Sequence, residues 1–232
     1  FLFCIVTSFL DWNLTRPDKG IKFTGIKNYL YFLTDAGFWK IALQTAVLTF
    51  STLILCIVLG YLLALLLDNK IPGTRLFRTM ILTPFFIMTT ASGVVWKNTM
   101  FNITFGWYGK IIRFFGGIPK DPLSTAPMLS LIILFVWQWL PFFVMIYLGG
   151  LQGLPEEVLE SARIDGANWW VLTFKIKLPM IFSYVKVAIM LGFVFIMKEL
   201  GLITTTTLGG PGTVTYTFTY KIYKQMATSH NV

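Results

Sequence analysis

Hydrophobic and polar positions divide the chain into long uncharged runs separated by polar connectors. Ile41 to Leu67 is 27 residues without a charge, and residues 122 to 155 contain none either. A bilayer-spanning helix needs roughly 20 such residues. The pattern predicts spans over about residues 40–67, 79–96, 127–150 and 180–203. The opening run FLFCIVTSFL, residues 1–10, begins with Phe1 and lacks a basic n-region, so it makes a poor signal peptide. It reads as the outer half of a further span whose start is missing. Only helices or closed barrels satisfy their backbone groups in hydrocarbon. The runs are too long and too uniformly apolar for barrel strands, which alternate over about 10 residues. The expected fold class is all-α, a polytopic transmembrane helix bundle.

The connectors carry the turn residues. Residues 11–39 are punctuated by Pro17, Gly20 and Gly25, and residues 97–126 by Gly106, Gly109, Gly116 and Gly117. Thr213 to Tyr220, TVTYTFTY, alternates strictly and reads either as a β-ribbon outside the membrane or as an interfacial helix with aromatic anchors. The small residues Ala91, Ser92 and Gly93 suit a close helix–helix approach.

Composition agrees with a bilayer as solvent. The chain of 232 residues is 12% charged, half the roughly 25% of soluble domains, and its mean hydropathy is +0.71. The net charge of +9 is scattered over loops with no basic stripe, which points to lipid headgroups rather than nucleic acid. Cys4 and Cys56 lie in apolar runs without metal-ligand spacing and read as small buried hydrophobes. The positive-inside rule does not orient the chain. The side holding residues 154–179 carries seven cations (Lys70, Arg75, Arg78, Arg163, Lys175, Lys177 and Lys186). The other carries eleven (Arg16, Lys19, Lys22, Lys27, Lys40, Lys97, Lys110, Arg113, Lys120, Lys221 and Lys224).

Residues 154–179, LPEEVLESARIDGANWWVLTFKIKLP, are the charged exception, with four of the chain's ten acids: Glu156, Glu157, Glu160 and Asp165. Pro155 suits a first helical position, and the two glutamates that follow favour the positive end of the helix dipole. Val158, Leu159 and Ala162 share one face by spacing. Gly166 stops or bends the helix. Trp169, Trp170, Val171 and Phe174 restart an apolar surface, and Pro179 suits the first turn of the next span. The expectation is a short helix, a turn and a second short helix lying across the membrane surface.

Glu160-Ser161-Ala162, Gly166 and Ile176-Lys177-Leu178-Pro179 resemble the EAA signature, EAA-x3-G-x9-I-x-LP, of permease subunits of binding-protein-dependent ABC importers. Ser161 stands where the signature has alanine, and serine is equally small. Tyr147-Leu148-Gly149-Gly150-Leu151-Gln152 and Ile164-Asp165-Gly166-Ala167 are similar to the carbohydrate-importer branch. So is Leu208-Gly209-Gly210-Pro211-Gly212, the GGP segment that follows the fifth core span in one of that branch's two permeases. Gly25, Asn28-Tyr29, Phe38-Trp39, Arg75, Phe77-Arg78 and Pro84 fit as well. The resemblance covers nearly the whole of residues 1–232 as one permease domain. That domain has a core of about six spans, of which about five lie here, without the start of the first and without the last.

The resemblance implies that residues 154–179 are a coupling helix seated in a groove of a cytoplasmic ATPase. Glu157, Glu160, Ser161, Ala162, Asp165, Gly166, Ala167, Leu178 and Pro179 are then the coupling residues. Small side chains allow close approach, and Glu160 and Asp165 can pair with basic partners. The chain has no GxxxxGK[ST] loop to cradle a phosphate, so ATP and Mg belong to a separate ATPase subunit and this chain is not an enzyme. The implied partners are a second homologous permease, two ATPase subunits, an extracytoplasmic solute-binding protein and membrane lipid, in a bacterial cytoplasmic membrane. The implied cycle is alternating access for a sugar or oligosaccharide.

Lys198 and Glu199 fall inside the fifth run, where charges are functional candidates. Either Lys198 lines the solute cavity, or both charges snorkel to the outer surface. Trp137, Gln138 and Trp139 offer aromatic faces and an amide to a sugar, or else form a packing and kink site beside Pro141. A secondary transporter or channel is the other reading; it needs a discontinuous-helix repeat, which the sequence does not display. A membrane enzyme needs an intramembrane constellation, and the single histidine, His230, lies in the tail.

Overall fold

A computed structural model describes residues 2–12, 20–69 and 73–229. Phe1, Arg16, Pro17, Lys19, Lys70 and His230 lie outside the described residues, as does the side chain of Arg75. Helix α1 (Leu2–Ser8) leads into a two-stranded antiparallel ribbon, β1 (Leu10–Asp11) with β2 (Lys22–Phe23), in which Leu10 pairs with Phe23. Helix α2 (Lys27–Thr34) precedes the longest element, α3 (Ala36–Asp68). Helices α4 (Thr74–Phe86) and α5 (Thr89–Val95) follow, and α5 continues as a π turn over Trp96–Met100. Then come α6 (Trp107–Phe114), α7 (Pro122–Thr125) and α8 (Pro127–Gln152). The connector holds α9 (Glu156–Ile164), a π-helical segment Val171–Lys177 and α10 (Leu178–Met180). The chain continues with α11 (Phe182–Lys198), α12 (Gly201–Thr206) and α13 (Phe218–Ser229).

Among the described residues, α3, α8 and Phe182–Thr206 are long and apolar enough to cross a membrane. The Asp35 carboxylate starts α3 by accepting from Gly37 N at 2.9 Å, and Asp68 and Asn69 end it once the uncharged run is used up. The expected third span is not straight. Leu76–Phe86 and Thr89–Met100 form a pair bent by 102°. The expected fifth span breaks after Lys198, where Glu199 turns extended (ψ 127°). Among the described residues two spans are thus interrupted, and the first of them is sharply bent. The first span is represented by α1, seven residues long and without a buried residue. Cys4 is accordingly exposed rather than buried, while Cys56 is buried as expected.

The core is a three-helix junction of α3, α8 and α11 built on one ring. Phe143 of α8 is fully buried. Its Cβ sits where a side chain on Gly60 of α3 would come within 2.8 Å, and its ring fills the space beside Gly192 of α11. Burial of such side chains and close packing through glycine hold the helices together, because within lipid van der Waals contact, rather than exclusion from water, drives helix association. Gly93 of α5 plays the same part against Thr205 of α12, as the small residues there led one to expect.

Thr213–Tyr220 is not a β-ribbon: residues 213–215 form a turn, 216–217 are irregular, and only 218–220 are helical, as the start of α13. The alternation instead buries threonines: Thr215 Oγ1 donates to Thr207 Oγ1 and Gly210 O, and Thr45 Oγ1 accepts from Phe218 N at 3.1 Å. The Gly209–Gly210–Pro211 loop is thereby folded back onto its own tail, with Gly209 at φ +79° against Tyr216 and Tyr220.

Candidate coupling surface and membrane pathway

Gly166 sits five residues into the sequence Ala162-Arg163-Ile164-Asp165-Gly166, and the backbone shows why that spacing matters. Gly166 adopts φ +84°. Its N–H donates to Arg163 O at 3.1 Å, and Ala167 N donates to Ala162 O at 2.9 Å. These two bonds are a Schellman C-cap, which needs a left-handed residue that glycine supplies without strain. Asn168 then starts the second segment, its Oδ1 accepting from Val171 N at 2.9 Å. That cap escaped the sequence reading although Asn at a helix start is a known signal. Pro155 stands one residue outside α9 as its cap rather than inside it.

The outer face of the connector is open. Glu157, Glu160, Ser161, Asp165, Gly166 and Pro179 are exposed, and Ala162, Ala167 and Leu178 are half-buried. Val158 was grouped with Leu159 and Ala162 by spacing, yet it is exposed while the other two are half-buried. Ile164, 86% exposed, and Trp169 and Trp170 complete an apolar outer surface. The inner side is tied down. Lys177 Nζ lies 2.9 Å from Asp68 Oδ2 at the end of α3. Tyr61 Oη donates to Thr173 O at 2.7 Å, and the Tyr61 ring meets Tyr147 and Phe174 edge-on. From α4, Arg78 Nη2 donates to Leu67 O at 3.1 Å and lies beside the Gln152 side-chain amide, whose oxygen, with the amide assigned to suit the guanidinium, accepts from Nη2 at 2.7 Å. Asp68, Arg78, Gln152 and Lys177 line a cleft of about 720 Å³ bounded also by Glu160 and Arg163. The ties made by Lys177 and Tyr61 were not visible in the sequence, since their partners are separated by 109 and 112 residues.

The membrane candidates take different places. Gln138 is buried, and its Nε2 donates to Pro84 O at 2.8 Å and Ile87 O at 3.0 Å. It therefore supports both carbonyls where α4 breaks, sharing Pro84 O with Ile87 N, which donates to it at 3.2 Å. Trp137 packs edge-on against Trp96 at 5.4 Å, and Trp139 stacks on Phe195 at 5.5 Å. Glu199 caps the second break, its Oε1 accepting from Gly201 N at 2.8 Å and Leu202 N at 3.4 Å. A carboxylate suits the positive end of α12. Lys198 is exposed, with Nζ 4.9 Å from the Phe195 ring centroid. Lys198 and Glu199 are thus not neighbours within one continuous helix but the end of α11 and the cap of α12. The two breaks adjoin: a Cβ on Gly201 would stand 2.6 Å from Thr89 Oγ1.

Residues 56–230 match the model of a family described as the binding-protein-dependent transport system inner membrane component. The chain belongs to this family. The permease is 33% identical over 217 residues to a probable ABC transporter permease protein, y4oQ, of Sinorhizobium fredii (strain NBRC 101917 / NGR234), covering 93% of this chain and 70% of that one. It is 31% identical to the trehalose/maltose transport system permease protein MalF of Thermococcus litoralis, over 86% of this chain and 67% of that one. Its fold matches a chain in the crystal structure of a bacterial alginate ABC transporter in complex with an alginate pentasaccharide-bound periplasmic protein. The TM-score is 0.77 at 18% identity, covering 98% of this chain and 77% of that chain. The likeness is one of fold.

Proposed function

We propose that this permease forms half of the translocation pathway of an ATP-driven importer in a bacterial cytoplasmic membrane, and that its solute is a sugar or oligosaccharide. The observation that carries this reading is the connector: a capped, outward-facing α9 followed by a Val171–Lys177 segment that is anchored to α3 through Lys177–Asp68 and Tyr61–Thr173. A surface element fixed to the bundle in that way converts a push on α9 into displacement of α3. Relatives named for trehalose/maltose and alginate transport support the solute class.

In this reading residues 154–179 dock into each ATPase, with Ser161, Ala162 and Gly166 allowing close approach and Glu157, Glu160 and Asp165 meeting basic residues. ATP and Mg bind on those subunits. A second permease completes the pathway, and an extracytoplasmic binding protein delivers the solute. Lys198, beside the adjoining helix breaks, borders the solute cavity. Trp137, Gln138 and Trp139 act behind it by shaping the break.

The test is copurification with an ATPase subunit, followed by uptake in proteoliposomes. The expected result is solute uptake that needs ATP, the ATPase and the binding protein. Solute flux through this chain alone, without ATP, overturns the proposal. Lys198→Met is expected to lower uptake and solute-stimulated ATP hydrolysis; unchanged values for both remove Lys198 from the pathway.

A further inference from the structure

Helix α6 presents its apolar face away from the protein. Trp107, Ile111 and Phe114 recur at spacings that place them on one side of the helix, and they are 62%, 52% and 85% exposed; Ile118, 88% exposed, follows in the turn beyond the helix end. Phe115, 81% exposed, widens the stripe. The opposite face is the packed one. Gly109 is buried with its Cα against the Ile103 backbone, and Arg113 donates from Nη1 to Ile103 O at 2.9 Å and from Nη2 to Thr104 O. The helix is therefore held as a rigid shelf in an orientation that is the reverse of a helix in water. Single exposed apolar residues are ordinary, but a contiguous stripe marks a surface that meets something apolar.

Place and charge say what it meets. The shelf lies in the connection from α5 to α8, at the end of α8 opposite the α9 connector. Between residues 97 and 120 the charged residues are Lys97, Lys110, Arg113 and Lys120, all cations. Lys110 flanks the stripe with Nζ 5.6 Å from the Trp107 ring. Tryptophan and phenylalanine on one face with cations at the edge is the composition of helices that lie in the headgroup boundary of a bilayer. We propose that α6 and residues 114–118 form an interfacial anchor that lies in the outer boundary of the bilayer, with Lys110 against anionic lipid headgroups. The anchor fixes the outer end of the broken span α4–α5 relative to the membrane, leaving movement to the opposite end of the bundle, where α8 and α11 carry the connector.

The complete transporter in vesicles of phosphatidylglycerol and phosphatidylcholine tests this. Cysteine is introduced singly at Ile111, Phe114 and Ile118, with Lys120 as the aqueous reference, after Cys4→Ser; Cys56 is fully buried and out of reach of a label. Nitroxide labels are then probed with oxygen and with a water-soluble nickel chelate. All three stripe positions are exposed, so a defect at one leaves two to read. The expected result is higher oxygen than nickel accessibility at the stripe and the reverse at Lys120. Higher nickel accessibility at Phe114 and Ile118 overturns the proposal, because the face then meets water. Low accessibility to both probes also overturns it, because the face is then covered by protein, whether the second permease or the binding protein. Lys110→Glu is expected to move the Phe114 label toward water in vesicles containing phosphatidylglycerol but not in phosphatidylcholine alone; an equal position in both removes the headgroup contact.

Discussion

Lys177 Nζ stands 2.9 Å from Asp68 Oδ2, with the two side chains only 13% and 19% exposed. The pair joins the end of the connector to the end of α3, two places 109 residues apart. Hydrogen bonds to charged groups contribute about 1.5–3 kcal/mol. Asp68→Asn is expected to lower the melting temperature of the permease complex and to raise basal ATP hydrolysis relative to uptake. A double-mutant cycle with Lys177→Met measures the coupling; interaction energy near zero would show that the pair is an idle surface contact.

Gly166 at φ +84° has no neighbour within 4 Å of the position of a Cβ. Substitution there is strained by backbone conformation alone, costing about 1–2 kcal/mol for a left-handed non-glycine residue. Gly166→Ala is expected to reduce ATP-coupled uptake while leaving the yield of folded permease unchanged, and Gly166→Asn, which tolerates the same conformation, to retain more uptake than alanine. Equal loss for both, or none for either, contradicts the capping account.

Phe143 leaves no room at Gly60 or Gly192. Gly192→Ala forces the ring out of place, and overpacking of this kind costs about 1–3 kcal/mol. Thermal unfolding in detergent should show the loss, and Phe143→Leu in the same chain should recover part of it. Failure of that rescue would place the strain elsewhere.

Gln138 donates to Pro84 O and Ile87 O where α4 ends. Gln138→Leu leaves Ile87 O without that partner, while Pro84 O keeps Ile87 N, and a buried unsatisfied group costs about 1–3 kcal/mol. The expected outcome is lower stability and weaker stimulation of ATP hydrolysis by the loaded binding protein, with Gln138→Glu less damaging to packing than to the hydrogen bonds. If solute affinity changes and stability does not, Gln138 contacts solute directly.

The connector was legible because its signals are local. Glu156 and Glu157 at a helix start, Ala162 four residues before Gly166, and Pro179 at the next start each act over one or two turns, so spacing alone places them. The spans were legible as spans for the same reason: hydropathy over about 20 residues is a property of the run. The breaks were not. A helix end inside hydrocarbon is tolerable only where another group takes its orphan carbonyls or N–H groups. At the α4 break that group is Gln138, more than fifty residues further along the chain; at the α12 start it is Glu199, which in sequence looked like a charge stranded in a span.

By itself, the order of apolar runs, charges and glycines determined a polytopic helical membrane bundle with a surface connector between its fourth and fifth runs, because each of those features arises within a few turns of chain; the permease reading came from the resemblance of that connector to the EAA signature. Tertiary structure alone decided that two spans break and adjoin, that Phe143 sets the junction of α3, α8 and α11, and that Lys177 and Tyr61 fasten the connector to α3. Those features depend on which buried group meets which across a hundred residues, and in a uniformly apolar sequence many pairings satisfy the same pattern while only close packing selects one.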